Sequence, residues 1–141
     1  MEIKDIALNF RSALNSLKAD GKLANFYGLK NFPTGACGDI SDLFIIYMQQ
    51  EYSLNLEYWT GYFEDERSHA WTILNDTCID LTADQFNSVL GEYSEVIVCD
   101  RQDYPLNNLL IRQNKGVGPT ATSINYHWQL YIKIKNKIKS L

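Results

Sequence analysis

The stretch "SHAWTILNDTCIDLTADQF", residues 68–86, predicts a β-hairpin. Apolar and polar residues alternate on both sides of Asn75-Asp76, and a pair of turn-forming residues at that place joins two antiparallel strands. If these two residues form the turn, His69 and Asp80 become diagonal neighbours on one face, about 7–8 Å apart at the backbone. A one-residue slip would put them on opposite faces. The hairpin therefore predicts an imidazole beside a carboxylate.

Hydrophobic spacing on the N-terminal side of the hairpin predicts two helices. Apolar residues three and four positions apart form the first stripe: Ile3, Ile6, Ala7, Phe10, Ala13, Leu14 and Leu17. The second helix begins near Cys37, with Asp39 and Asp42 in its first turns, where acidic side chains suit the helix dipole. Its apolar stripe consists of Ile40, Leu43, Phe44, Tyr47 and Met48. A loop broken by Pro33 and Gly35 separates the two helices.

Strand-like alternation dominates the rest of the chain. Further strands are predicted at 54–63, at 94–100 and near the C-terminus, where Trp128, Leu130, Ile132 and Ile134 alternate with polar residues. The segment 82–90 is expected to hold a short helix, and part of 101–125 a long surface loop. Helices followed by strands indicate an α+β fold in one domain, 1–141, with N-terminal helices packed on an antiparallel sheet.

Composition argues against several classes of function. The chain has 13 Lys and Arg against 17 Asp and Glu, a net charge of −4, so we expect no nucleic-acid surface. The lysines of 132–140 are interpreted as solvated side chains on one strand face. No run approaches the ~18 apolar residues that span a bilayer, so no membrane partner is expected. The start, "MEIKDIALNF", lacks a signal-peptide core, which favours a cytoplasmic location, with secretion by a signal-less route left open.

The three cysteines differ in their setting. Cys78 and Cys99 lie in apolar strand-like runs and are interpreted as small buried side chains. No CxxC pair exists, so a zinc site of the usual spacing is not expected, and no cofactor is predicted. A metal site made of a cysteine, a histidine and an aspartate stays a weaker alternative, because it would need a fourth ligand. Cys37 stands at the start of a helix, where the helix dipole and a neighbouring imidazolium lower a thiol pKa from its ordinary value of ~8.5. We therefore predict Cys37 as nucleophile, His69 as base and Asp80 as the group that orients His69.

These motifs resemble the transglutaminase-like branch of the papain-like cysteine hydrolases. The likeness covers residues 31–86: a Gly-x-Cys-Gly helix start, then His-Ala-Trp on one strand and Ile-Asp-Leu-Thr on the next. The resemblance implies a papain-like core in which Cys37, His69 and Asp80 follow the catalytic order of that superfamily. It also implies covalent thiol catalysis on amide or related acyl groups.

The resemblance implies an oxyanion hole made of the Cys37 N–H and a side-chain amide. Asn31, in the loop before the cysteine, and Gln85, after the aspartate, are the alternatives, and Trp71 is either core or a wall of the site. His127 is a competing base that nothing nearby orients, and we interpret it as structural. The segment "KGVGPT", 115–120, lacks the ending of a phosphate loop.

The sequence therefore predicts a cysteine peptidase, amidase or deamidase with a protein or peptide substrate. Two alternatives stay open: a transglutaminase- or acyltransferase-type transferase that uses an amine acceptor, and a non-catalytic peptide-binding module on the same fold. A bacterial effector or a processing enzyme would suit such a small domain.

Overall fold

The change from helical to strand-like spacing marks the change from helix to strand in the computed structural model, which describes residues 1–141. The helices are α1 (Ile3–Ala19), α2 (Cys37–Tyr52) and α3 (Ala121–Lys139). The strands are β1 (Glu57–Phe63), β2 (Ser68–Leu74), β3 (Thr77–Asp80), β4 (Ile97–Asp100) and β5 (Leu110–Lys115). They form one antiparallel sheet in the order β4-β3-β2-β1-β5. The α+β class expected from the sequence is confirmed.

The β2–β3 hairpin has the predicted register. Leu74 pairs with Thr77 across a turn in which Asn75 takes a left-handed φ of +55°, a conformation that asparagine tolerates better than most residues. The pairing continues through Thr72 and Ile79. This register puts His69 and Asp80 on the same face of the sheet.

Apolar side chains cover both faces of the sheet. The larger core lies between the sheet and the three helices, and in it the rings of Phe10 and Phe44 meet edge to face, 5.0 Å between centroids. The smaller core lies on the opposite face, where Tyr104 and Leu106 cover Trp71. Side chains alternate along β2, so the face that carries Trp71 also carries His69. The histidine is therefore buried by segments outside the sheet that pack on this face.

The C-terminal strand prediction is wrong, because residues Ala121–Lys139 form α3. Leu130 and Ile134 are buried at helical spacing against α1 and α2, and the apparent alternation came from the half-exposed Trp128 and Ile132. A capping box at Thr120 starts the helix, since its hydroxyl accepts from the N–H of a serine three residues on. The lysines of 132–140 are therefore on a helix, not on a strand face.

The segments that follow β3 and β4 contain 3₁₀ turns. The expected helix within 82–90 is a single 3₁₀ turn, Ala83–Phe86. The region 101–125, part of which is expected to be a long surface loop, contains two 3₁₀ turns, β5 and the start of α3. None of the helices combines the length and the apolar character required to cross a bilayer.

Candidate active site

Cys37 is the first residue of α2. The chain turns into the helix at Gly35, whose φ of +71° lies in the left-handed region that glycine adopts without strain. The first helical hydrogen bond runs from the Ile40 N–H to the Ala36 carbonyl at 2.9 Å, and no side chain caps the helix. The N–H groups of Cys37 and Gly38 therefore have no acceptor within the protein. The positive end of the helix dipole lies at the thiol.

His69 and Asp80 form a buried pair. His69 Nε2 donates to Asp80 Oδ2 at 2.7 Å, and both side chains are fully shielded from solvent. Asp80 Oδ1 also accepts from the Thr82 N–H at 3.0 Å, and Oδ2 accepts from the Tyr104 hydroxyl at 2.6 Å. An ionised carboxylate only accepts, so the imidazole carries its hydrogen on Nε2 and keeps Nδ1 free to receive a proton.

Aromatic rings fix the plane of the imidazole. Trp71 stacks beside His69 with 6.0 Å between centroids and 27° between planes, and Phe86 meets the ring edge-on at 5.0 Å. Trp71 is itself buried and packs on Tyr104, with 5.1 Å between the ring centroids. It therefore supports the histidine from within the smaller core. This placement agrees with the interpretation of Trp71 as a core residue rather than as a wall of the site.

The three groups shift one another's pKa in directions that favour charge separation. Burial raises the pKa of Cys37, but the adjacent His69 and the Ala70 N–H outweigh it, so the net pKa is lowered. Burial alone would lower the pKa of His69, whereas the charge and hydrogen bond of Asp80 raise it to about 10. Burial opposes ionisation of Asp80 too, yet the bonds from His69 and Tyr104 hold its pKa below the ordinary value. Both shifts therefore favour a thiolate beside an imidazolium more than an isolated thiol and imidazole would.

The other two cysteines behave in the opposite way. Burial raises the pKa of Cys78, and the charge of Asp80 raises it further. Burial also raises the pKa of Cys99, which lies directly opposite Cys78 in the sheet. Both are free thiols, so they serve as internal references for the reactivity of Cys37.

Gln85 links the segment before Cys37 to the histidine. Its Oε1 accepts from the Gly35 N–H at 3.3 Å, while Nε2 donates to the Thr82 carbonyl at 3.1 Å. These two backbone partners fix the amide orientation, since an N–H needs the oxygen and a carbonyl needs the nitrogen. The same Nε2 lies 3.3 Å from His69 Nδ1, which can accept a hydrogen bond from it only while the imidazole is neutral. Gln85 thus contacts the histidine directly, and Asn31 does not.

Asn31 is exposed and its side chain makes no hydrogen bond to the residues of the site; only its carbonyl is used, accepting from the Thr34 N–H. His127 lies on α3, away from the His69–Asp80 pair, with Nε2 at 3.3 Å from Asp39 and 3.9 Å from Asp42. Burial lowers the pKa of His127. The expectation that nothing near His127 orients it is therefore wrong, because Asp39 and Asp42 on α2 face its Nε2; it pairs with them as an ion only when protonated, and it is not hydrogen-bonded to the thiol.

Sequence reasoning missed Arg11, a buried residue of α1 that holds the turn carrying Gln85. Its guanidinium forms a fork on Asp84, with N–O distances of 2.8 and 2.9 Å, and donates to the Leu81 carbonyl at 2.7 Å. The ring of Phe32 lies under the guanidinium, 4.6 Å from its carbon. The only sign of this role in the sequence is that an arginine lies within an apolar helix stripe, and that pattern does not indicate which residue the arginine binds.

Sequence reasoning also missed Tyr104, which reaches Asp80 across 24 residues of chain. It is buried in the short segment between β4 and β5, where no periodic pattern marks it. The bond to Asp80 exists only because the chain folds back over the second face of the sheet.

No group of three or more His, Cys, Asp or Glu side chains is arranged to hold a metal ion. No protein-family model, curated protein or solved structure matches the chain, so its function has to be inferred from the geometry of the site.

Proposed function

We propose that the protein is a thiol-dependent acyl-transfer enzyme that acts on amide bonds, with a papain-like core of the transglutaminase-like type. A cysteine peptidase, amidase or deamidase is the simplest form of such an enzyme. The observation that carries the proposal is the hydrogen-bonded His69–Asp80 pair beside a thiol of lowered pKa at a helix start. A nucleophile, a base and a group that holds the base are the three parts that nucleophilic catalysis needs.

Each residue has one role in the proposed reaction. The Cys37 proton passes to His69 Nδ1, and the sulfur attacks the carbonyl carbon of the amide to form a C–S bond. The C–N bond then breaks, and the leaving amine, or ammonia in a deamidation, takes the proton from Nδ1. Water gives a proton to Nδ1 and its oxygen attacks the thioester carbon to form a C–O bond. The C–S bond then breaks, Nδ1 returns the proton to the sulfur, and the carboxylic acid is released with the thiol regenerated. Asp80 keeps the imidazole oriented and stabilises its charge throughout.

The buried carboxylate supports this role for Asp80. Three donors hold it, from Thr82, Tyr104 and His69, so it cannot rotate away from the imidazole. Gln85 and the Arg11 fork fix the turn that follows, and with it the entrance to Nδ1. An amine acceptor in place of water would give the transferase alternative by the same first step.

Site-resolved alkylation tests the proposal. The protein would be treated with iodoacetamide between pH 5 and 10, and modification of each cysteine would be followed by mass spectrometry. We expect Cys37 to react as a thiolate well below pH 8 and Cys78 and Cys99 to stay nearly inert. In a His69→Ala variant, Cys37 should lose its low-pH reactivity. A Cys37 that titrates like an ordinary thiol in the wild-type protein would overturn the proposal and favour a binding module.

A further inference from the structure

The glycine-rich segment that begins at the last residue of β5, residues 115–120, packs against one tyrosine of β1. The Gly116 N–H donates to the Tyr58 carbonyl at 2.7 Å. A Cβ on Gly116 would stand only 2.8 Å from Tyr58 Cδ1, so any larger residue there would push the ring away. Gly118, with a left-handed φ of +80°, passes the same side chain, 3.6 Å from Tyr58 Cβ at the place where its own Cβ would be. The segment therefore packs against the Tyr58 side chain and fixes the position of its ring.

The Tyr58 hydroxyl lies over the first turn of α2. It is 3.4 Å from the point where a Cβ on Gly38 would stand, and Gly38 directly follows Cys37. The hydroxyl makes no hydrogen bond to any atom of the protein, the Cys37 sulfur included, although the ring is half-buried. A donor thus stands unused beside the reactive thiol.

Electrostatics keep this hydroxyl protonated. Burial raises the pKa of Tyr58 to about 12, and the charges of Asp42, Cys37 and Asp39 contribute to the rise. A tyrosine that does not ionise near neutral pH is a hydrogen-bond donor throughout the working range of the thiolate. The influence of Cys37 on this pKa also places the two groups within electrostatic reach of each other.

We propose that Tyr58 is a catalytic residue of the Cys37 site, whose hydroxyl donates a hydrogen bond to the carbonyl oxygen of the bond under attack. When the Cys37 sulfur forms the C–S bond, the electron pair of the C=O bond moves to that oxygen. The Tyr58 O–H and the unpartnered Cys37 N–H then stabilise the negative charge. This inference rests on the proposed function, because it assigns a partner to the oxygen that the thiol attack creates. It also gives the donor role to a residue other than Asn31 or Gln85.

Two reagents separate this role from thiol activation. p-Nitrophenyl acetate acylates a thiolate through a tetrahedral oxyanion: the C–S bond forms and the C–O bond to p-nitrophenolate breaks. Iodoacetamide reacts by displacement of iodide and creates no oxyanion. We expect Tyr58→Phe to slow acetylation of Cys37 by about 100- to 1000-fold while iodoacetamide alkylation stays within about twofold of wild type. The two rates are measured on the same preparations, with the modified cysteine identified by mass.

Tyr62→Phe is the matched control. Tyr62 lies on the same strand and the same face as Tyr58, its hydroxyl also lacks a partner in the protein, and its ring packs under Arg112 at 4.5 Å. Removal of the Tyr62 hydroxyl should leave the acetylation rate and the alkylation rate of Cys37 unchanged. Equal acetylation rates for Tyr58→Phe and Tyr62→Phe would overturn the role of Tyr58 and leave the proposed function standing. A wild-type Cys37 that is neither alkylated as a thiolate nor acetylated would overturn both.

Gly116→Ala provides a second variant in which the hydroxyl is present but displaced. Its new Cβ pushes the Tyr58 ring, so acetylation should fall while alkylation does not. Combining it with Tyr58→Phe should add little, because both changes remove the same hydrogen bond. A double variant whose losses multiply would contradict the shared cause. Thermal unfolding of each variant checks that the fold is retained.

Discussion

The hydrogen bond from Tyr104 to Asp80 allows a stability prediction of defined size. Tyr104→Phe removes one hydroxyl and keeps the ring that packs on Trp71, so no large cavity forms. The lost bond joins a donor to an ionised acceptor at 2.6 Å in the buried second core. Such bonds contribute about 1.5–3 kcal/mol. Asp80 keeps its donors from His69 and Thr82, so we expect a loss near the middle, about 2 kcal/mol of unfolding free energy.

The ionisation of Asp80 determines how the stability difference between wild type and Tyr104→Phe changes with pH. Its pKa is lowered in the folded protein, partly by Tyr104, so the bond stabilises the ionised form. The difference between wild type and variant should be fully present above the ordinary carboxyl pKa of about 3.9. It should be lost as the pH falls through the lowered pKa of folded Asp80.

Urea unfolding at pH 7.5 and at pH 5, each with the m-value, measures this difference. We expect about 2 kcal/mol at both pH values, an unchanged m-value and a melting temperature lower by roughly 7 °C. Tyr126→Phe is the control, because Tyr126 is 59% exposed and its hydroxyl has no partner. If the two variants are equally stable, the carboxylate does not depend on the buried hydroxyl and the reasoning is refuted.

Two further predictions concern the buried charges. Arg11→Met should cost about 3–5 kcal/mol, because it leaves the Asp84 carboxylate, 13% exposed, without its fork. Adding Asp84→Asn should recover part of that loss in urea unfolding. Asp80→Asn should lower the pKa of His69 from about 10 towards the ordinary value of about 6.5, since the charge that raises it is gone. Titration by NMR resolves this shift, with His127, the only other histidine, as internal reference.

Each of these two predictions has a distinct contrary result. Arg67→Met, which breaks the exposed ion pair with Asp65, should lower the unfolding free energy by under about 1 kcal/mol. If Arg11→Met lowers it by no more than that, the buried Arg11–Asp84 fork does not contribute the predicted stability. An unchanged His69 titration in Asp80→Asn would mean that the carboxylate does not hold the imidazolium.

Local patterns alone specified the hairpin and the start of α2. Turn-forming residues fix which side chains face each other in a two-stranded ribbon, so the pairing of His69 with Asp80 follows from Asn75 and Asp76. The helical stripe from Ile40 onward likewise put Cys37 at the helix start. These are short-range effects, and a sequence read alone contains them.

The C-terminal segment shows where local patterns fail. Alternating apolar residues around Leu130 satisfy a strand and a helix about equally over so short a run. Packing against α1 and α2 decides in favour of the helix, because it buries Leu130 and Ile134 together and leaves Ile132 partly exposed.

Contacts between distant parts of the chain decided the rest of the candidate site. Tyr104 reaches Asp80, Arg11 grips the turn at Asp84, and the 115–120 segment sets the ring of Tyr58 over Gly38. No spacing rule links such residues, since the distance between them along the chain carries no information about their distance in space. The sequence determined that a thiol, an imidazole and a carboxylate come together. Tertiary packing alone determined which groups hold them, because those bonds join residues that meet only where other segments cover the two faces of the sheet.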